Sequence, residues 1–252
     1  MAKIVLVHSF RGGTGKSNTT ANLATAIACT GQRVAVIDTD IQSPGIHVLF
    51  GMEQENPLKH TLNDYLWGDC AIEDAAYEVS PAAVRQSNGS IFLLPSSIEA
   101  EDMTRVLHEG YDVRLLKNGF RNLVKALNLD YIFVDTHPGL NEETLLSIAI
   151  ANILVVILRP DRQDLQGTAV MVDLARQLKV PKILMIVNRV LQDLDSDAVR
   201  QQLEAKYDVP VVGVLPNCDE MMRLASSDLF CLQYPDHPLT QEIKTVAQSI
   251  MT

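Results

Sequence analysis

Seven short runs rich in Val, Ile and Leu recur along the chain, at Ile4–Val7, Val34–Ile37, Ile91–Leu94, Tyr131–Val134, Ile153–Leu158, Ile183–Val187 and Val211–Leu215. They are nearly continuous rather than alternating, which is the pattern of strands covered on both faces. Stretches long enough for a crossover helix lie between most of them, among them Ser17–Thr30, Asn141–Ala151, Gln166–Leu178 and Ser196–Lys206. This alternation predicts an α/β fold, a mostly parallel twisted sheet of about seven or eight strands with helices on both faces. No linker, repeat or low-complexity tract interrupts residues 1–252, so one domain is expected; single α/β domains commonly reach ~250 residues. The least regular stretch, Gly51–Ser90, predicts an excursion of short helices on the rim.

Composition narrows the class. The chain is 47% apolar and 21% charged, as globular proteins are. Its 31 acidic against 21 basic residues give a net charge of -10, which weakens a reading as a general nucleic-acid or membrane-surface binder. Cys29, Cys70, Cys218 and Cys231 stand singly, with no Cys-x-x-Cys pair. That argues against a metal or iron–sulfur site and fits reduced thiols. Met-Ala-Lys runs directly into Ile4–Val7 and then glycines, without a cleavable apolar region. No apolar stretch approaches the ~20 residues of a spanning helix. A cytoplasmic protein is expected.

In sheets of this kind ligands bind beyond the carboxyl ends of the strands. Four such ends carry unusual residues, at Ser9–Ser17, Asp38–Asp40, Asp135–Gly139 and Asn188–Arg189. The first places three glycines, Gly12, Gly13 and Gly15, within four positions, where they let backbone N–H groups turn inward on an anion. A helix opening near Lys16 adds its dipole end. Lys16 is then a charge for the β- and γ-phosphates, and the Ser17 hydroxyl a ligand for magnesium. Asp38 and Asp40 fall on one side of their strand, an arrangement that is costly unless a cation or water holds both acids. Their alternative role is a helix N-cap pair before Ser43-Pro44. Asp135 ends an apolar run and is expected to support the magnesium, while Gly139 lets the next loop bend towards the γ-phosphate.

Phe10 replaces the first glycine of the usual Gly-x-x-x-x-Gly-Lys-Ser/Thr pattern. The segment Arg11-Gly12-Gly13-Thr14-Gly15-Lys16-Ser17 instead resembles the deviant loop Lys-Gly-Gly-x-Gly-Lys-Thr/Ser of the bacterial ParA/MinD ATPases. The resemblance runs from Lys3 to near Ile250 and is thinnest over Gly51–Ser90. It implies ATP and Mg2+ as cofactors and a hydrolysis that is slow and partner-stimulated. Gly12, Gly13, Thr14, Gly15, Lys16, Ser17 and Asn18 would contact the nucleotide. Asn188-Arg189 would face adenine, and Leu215-Pro216-Asn217 would close over it. Ser17, Asp38 and Asp135 would serve the metal, Asp40 would orient the attacking water, and Lys16 would act in catalysis.

Arg11 stands where the family carries a signature lysine that crosses a dimer interface to the partner's nucleotide. Arginine keeps the charge and adds a planar fork. The resemblance thus implies an ATP-dependent homodimer that meets a protein activator or cargo adaptor and positions or partitions a cargo. His137 replaces the first proline of the family's Asp-x-Pro-Pro-Gly and is expected to be structural.

The membrane and DNA surfaces of the family are less legible. A last helix over Pro238–Met251 has its apolar residues at Leu239, Ile243, Val246 and Ile250, but Lys244 is its only basic residue, so core packing is expected rather than membrane targeting. Arg114, Lys117, Arg121 and Lys125 share a helix face opposite Leu116, Phe120, Leu123 and Leu127, and a solvated face is favoured there over a non-specific grip on DNA. Two other functions share the loop. A metal-delivery chaperone ATPase would need a cysteine pair at its dimer seam. A static ATP-binding regulatory module would hold ATP with little hydrolysis.

Overall fold

The computed structural model describes residues 2–52, 58–110 and 113–252. Its strands are β1 Lys3–His8, β2 Arg33–Thr39, β3 Tyr77–Glu78, β4 Ser90–Leu94, β5 Tyr131–Thr136, β6 Ile153–Leu158, β7 Lys182–Val190 and β8 Val211–Pro216. They form one sheet of eight in the order β3-β4-β2-β5-β1-β6-β7-β8. All neighbours are parallel except β3, which pairs antiparallel with Phe92 and Leu93 of β4. The seven apolar runs are all strands. β3 carries no signal of its own, because two residues cannot show a period and only the edge of β4 seats them.

Twelve α-helices join the described strands: α1 Lys16–Ala28, α2 Ile46–Leu49, α3 Leu62–Trp67, α4 Ala82–Gln86, α5 Ala100–Glu109, α6 Val113–Leu127, α7 Glu142–Ile150, α8 Arg162–Gln177, α9 Ser196–Tyr207, α10 Asp219–Leu224, α11 Phe230–Gln233 and α12 Pro238–Met251. The expected excursion at Gly51–Ser90 contains α3, a 3-10 turn at Ile72–Ala75, β3 and α4; residues 53–57 of it lie outside the described residues. Helix α8 starts earlier than its apolar spacing suggested. Asp161 caps it, accepting from the N–H groups of Gln163 and Asp164 at 3.1 and 3.0 Å.

The pleat divides the strand side chains between two cores. Val5, Val36 and Phe133 pack with Leu23 and Ile27 of α1 and with Val246 and Ile250 of α12. Leu6, Ile37 and Val134 pack on the other side with Leu116 and Phe120 of α6 and Met171 of α8. Each such side chain stabilises the fold by about 1.5–3 kcal/mol relative to exposure. Helix α12 is therefore core, as its spacing implied, and Lys3 and Lys182 donate to its last carbonyls, those of Met251 and Ser249, at 2.8 and 2.7 Å. The basic residues Arg114, Lys117, Arg121 and Lys125 all face solvent. Among the described residues no helix is long and apolar enough to cross a membrane.

Register places the chemistry. Asp135 is level with Val7 on one side and Asp38 on the other. The loops after β1, β2 and β5 therefore emerge together at the carboxyl edge of the sheet, beside the start of α1.

Candidate functional site

The loop after β1 takes its shape from glycine. Gly13 and Gly15 have φ of +76° and +88°, in the left-handed region. A Cβ on Gly15 would also sit 2.5 Å from Asn188 Nδ2, so side chains are excluded twice there. Phe10, the departure from the usual pattern, lies over Gly167 of α8, where a Cβ would fall 1.9 Å from its ring. An aromatic contact thus seats the loop on α8. A Cβ on Gly12 would meet Pro138 at 3.8 Å, and the Gly139 N–H donates to Ser9 O at 3.1 Å, so the loop after β5 closes against the same segment. Thr14 is buried, and its Oγ1 has no hydrogen-bond partner.

Below the glycines lies a dry cluster of charge. Lys16 Nζ is 2.9 Å from Asp135 Oδ1 and 3.9 Å from Asp40 Oδ2, with Lys16 and Asp135 only 7% and 1% exposed. The Thr20 hydroxyl donates more weakly to the same Asp135 oxygen, at 3.4 Å. Asp38 is fully buried and accepts the N–H groups of Asp40 and Gly45 at 3.0 and 3.2 Å. These bonds favour its carboxylate, but burial outweighs them and the charges of Asp135 and Asp40 add to it, so its pKa is pushed up to about 8. Asp40 is likewise raised, chiefly by burial, against the pull of His137 and Lys16. These three acids against one ammonium carry a formal charge of -2 when all are ionised and -1 while Asp38 keeps its proton, so the pocket is net negative in either state. Ser17 follows Lys16 on the first turn of α1. An all-oxygen set with that charge suits a hard divalent cation.

On the other side of Gly15 a cavity of about 420 Å3 opens, lined by Asn18, Asn188, Arg189, Pro216 and Met221 among others. Asn18 Nδ2 donates to Ser226 Oγ at 3.1 Å. Asn188 Nδ2 donates to Thr14 O at 2.7 Å and its Oδ1 accepts the Arg189 N–H at 2.9 Å, leaving one N–H and one lone pair for a ligand edge. Arg189 holds a positive φ of 57°. The residues expected to face phosphates, metal and base are thus brought to one edge of the sheet. Cys218, Glu220 and His237 meet near this cavity, their ligand atoms within 4.8 Å. His237 Nδ1 accepts the Leu239 N–H at 3.1 Å, which leaves the proton of the neutral ring on Nε2, towards Glu220. That ring caps α12 and has no free lone pair for a metal.

Arg11 does not point into its own phosphate site. Its guanidinium lies 3.6 Å from Asp161 and 3.9 Å from Asp164, across the start of α8, with the side chain 40% exposed. Asp164 is buried and held by the Arg159 N–H and Nε, but its Oδ1 has no hydrogen-bond partner. The sequence reading missed this pair, although Asp161 follows the end of β6 as the other site residues follow their strands. It also missed the place of His137, whose Nδ1 is 2.7 Å from Asp40 Oδ1, and of His8. His8 Nδ1 meets Thr136 Oγ1 at 2.6 Å, and that hydroxyl donates on to Val7 O at 3.0 Å, so His8 Nδ1 carries the proton. Burial, then the charge of Lys16, lowers its pKa to about 3.

A parallel sheet ending in a glycine loop, a buried lysine and facing carboxylates defines a phosphate-loop nucleotide-binding protein. The chain belongs to the CobQ/CobB/MinD/ParA nucleotide-binding family, whose model matches residues 5–229. An uncharacterized ATP-binding protein of Methanocaldococcus jannaschii is 30% identical over 254 residues, covering 100% of this chain and 88% of the relative. The septum site-determining protein MinD of Bacillus subtilis is 24% identical, covering 100% of this chain and 90% of its own. Among solved structures, MinD from Pyrococcus horikoshii complexed with Mg-ADP superposes with a TM-score of 0.80 at 24% identity, covering 99% of this chain and 96% of that one. The Cyanothece McdA–ATP complex gives 0.79 at 20% identity, with 99% and 96% covered. The kinship with ParA/MinD ATPases is borne out, and the fold matches theirs.

Proposed function

We propose that this chain binds ATP with magnesium between residues 9–17 and the cavity beside Gly15, and hydrolyses it slowly. In this reading Gly12, Gly13, Thr14, Gly15 and Lys16 hold the phosphates, while Asn18, Asn188, Arg189 and Pro216 frame the base. Ser17, Asp38 and Asp135 would hold the magnesium, which supplies charge neutralisation on the β- and γ-phosphates when bound. Asp40 orients the attacking water as a general-base or positioning group. Arg11 crosses to a second copy when ATP is bound, and the resulting homodimer positions a cellular cargo through a protein activator or adaptor.

The observation that carries this reading is the Lys16–Asp135 pair at 2.9 Å under the glycine loop, with Asp40 beside it. A buried ammonium at the start of a helix, under a glycine loop and beside acids able to hold a cation, matches what triphosphate and magnesium binding require. The names of the relatives support it further, since one carries Mg-ADP, another ATP, and an Aquifex aeolicus MinD was solved with MinC. The half-exposed Arg11 supports the dimer, because surface ion pairs contribute only about 0–1 kcal/mol and release easily.

Calorimetric ATP titration, phosphate release and sedimentation with and without ATP test it. Asp40→Ala should bind ATP, stop hydrolysing it and accumulate as dimer. Turnover by Asp40→Ala at the wild-type rate would remove Asp40 from the chemistry, and a wild type that binds ATP without turnover would leave a static module.

A further inference from the structure

His137 stands where the family's pattern has a proline, and its side chain hydrogen-bonds the side chain of Asp40, an expected catalytic group. Its Nδ1 lies 2.7 Å from Asp40 Oδ1, with the ring 31% exposed and the acid 11%. An ionised carboxylate can only accept, so Nδ1 carries the hydrogen of this bond. The other oxygen of Asp40, Oδ2, faces Lys16 Nζ at 3.9 Å. The Asp40 carboxylate thus has a hydrogen-bond donor from the loop after β5 at one oxygen and only a longer ion pair from the start of α1 at the other. Its backbone is held too, through the N–H donated to Asp38 Oδ1 at 3.0 Å.

A water-orienting carboxylate has to present a lone pair in a fixed direction. A lone Asp at the end of a strand has free rotation about χ1 and χ2, and Asp40 lies just beyond the last residue of β2. Proline at position 137 would supply no donor. We infer that His137 is a positioning residue for ATP hydrolysis, fixing the plane of the Asp40 carboxylate through the Nδ1–Oδ1 hydrogen bond. This rests on Asp40 being the water-orienting group of the proposed function.

Steady-state hydrolysis of Mg-ATP by the full chain tests it, with three variants beside the wild type. Misplacing a reacting group by about 1 Å costs on the order of 10²-fold, so His137→Ala and His137→Phe should lower kcat by about 10- to 100-fold, with KM changed by less than about threefold. Phenylalanine keeps the ring and lacks the donor, so it separates shape from hydrogen bonding. His137→Asn places an amide N–H near the position of Nδ1 and should recover most of the lost kcat.

Thermal unfolding of each variant shows whether the fold is retained. Phenylalanine or alanine variants that keep wild-type kcat overturn the inference, as does an effect confined to KM. A wild type without ATP turnover is a different result. It overturns the proposed hydrolysis itself, and this role with it.

Discussion

Replacing Lys16 by alanine should destabilise the nucleotide-free protein as well as abolish ATP binding. The pair it breaks is dry, with Lys16 Nζ 2.9 Å from Asp135 Oδ1 and Asp135 only 1% exposed. Removing one partner of a buried pair typically costs about 3–5 kcal/mol, because the other charge is left without compensation.

Urea unfolding followed by far-ultraviolet circular dichroism, at pH 7 without nucleotide and with chelator, measures the difference. A variant as stable as wild type would refute Lys16 as the counter-ion of the buried acids.

Two further outcomes are expected. Arg11→Ala should reduce ATP-dependent dimerisation and turnover while leaving the monomer's ATP affinity nearly unchanged, with Arg11→Lys restoring much of both; arginine fingers elsewhere contribute ~10³–10⁵-fold in rate, and a wild type that stays monomeric with ATP in sedimentation would end this role. His8, whose pKa is lowered to about 3, stays neutral in the fold while the unfolded chain protonates near pH 6.5, so its contribution is complete above that pH and is lost as pH falls towards 3. Between pH 6 and 4.5 the wild type should lose about 1.4 kcal/mol per pH unit that His8→Asn does not lose, and equal slopes in urea unfolding would count against a neutral buried His8.

The sequence by itself determined the architecture. Strands such as Ile153–Leu158 are written as unbroken apolar runs because both faces are covered, and α12 declares its inner face through Leu239, Ile243, Val246 and Ile250. The glycine loop, Lys16 and the acids at strand ends were legible too, since backbone sterics and charge type act locally. Several things were decided only by tertiary structure. Asp38 and Asp135 become neighbours through the register of β2 on β5, which pairs positions almost a hundred residues apart in the chain. His137 reads as a lone histidine beside a proline until the loop after β5 carries it to Asp40. Arg11 reads as a loop cation until the start of α8 sets Asp161 and the buried Asp164 opposite it. β3 exists only because β4 has a free edge to pair with. The reason is common to all four. Periodicity and local sterics are properties of a segment, whereas the partner of a charged side chain depends on which strands lie side by side.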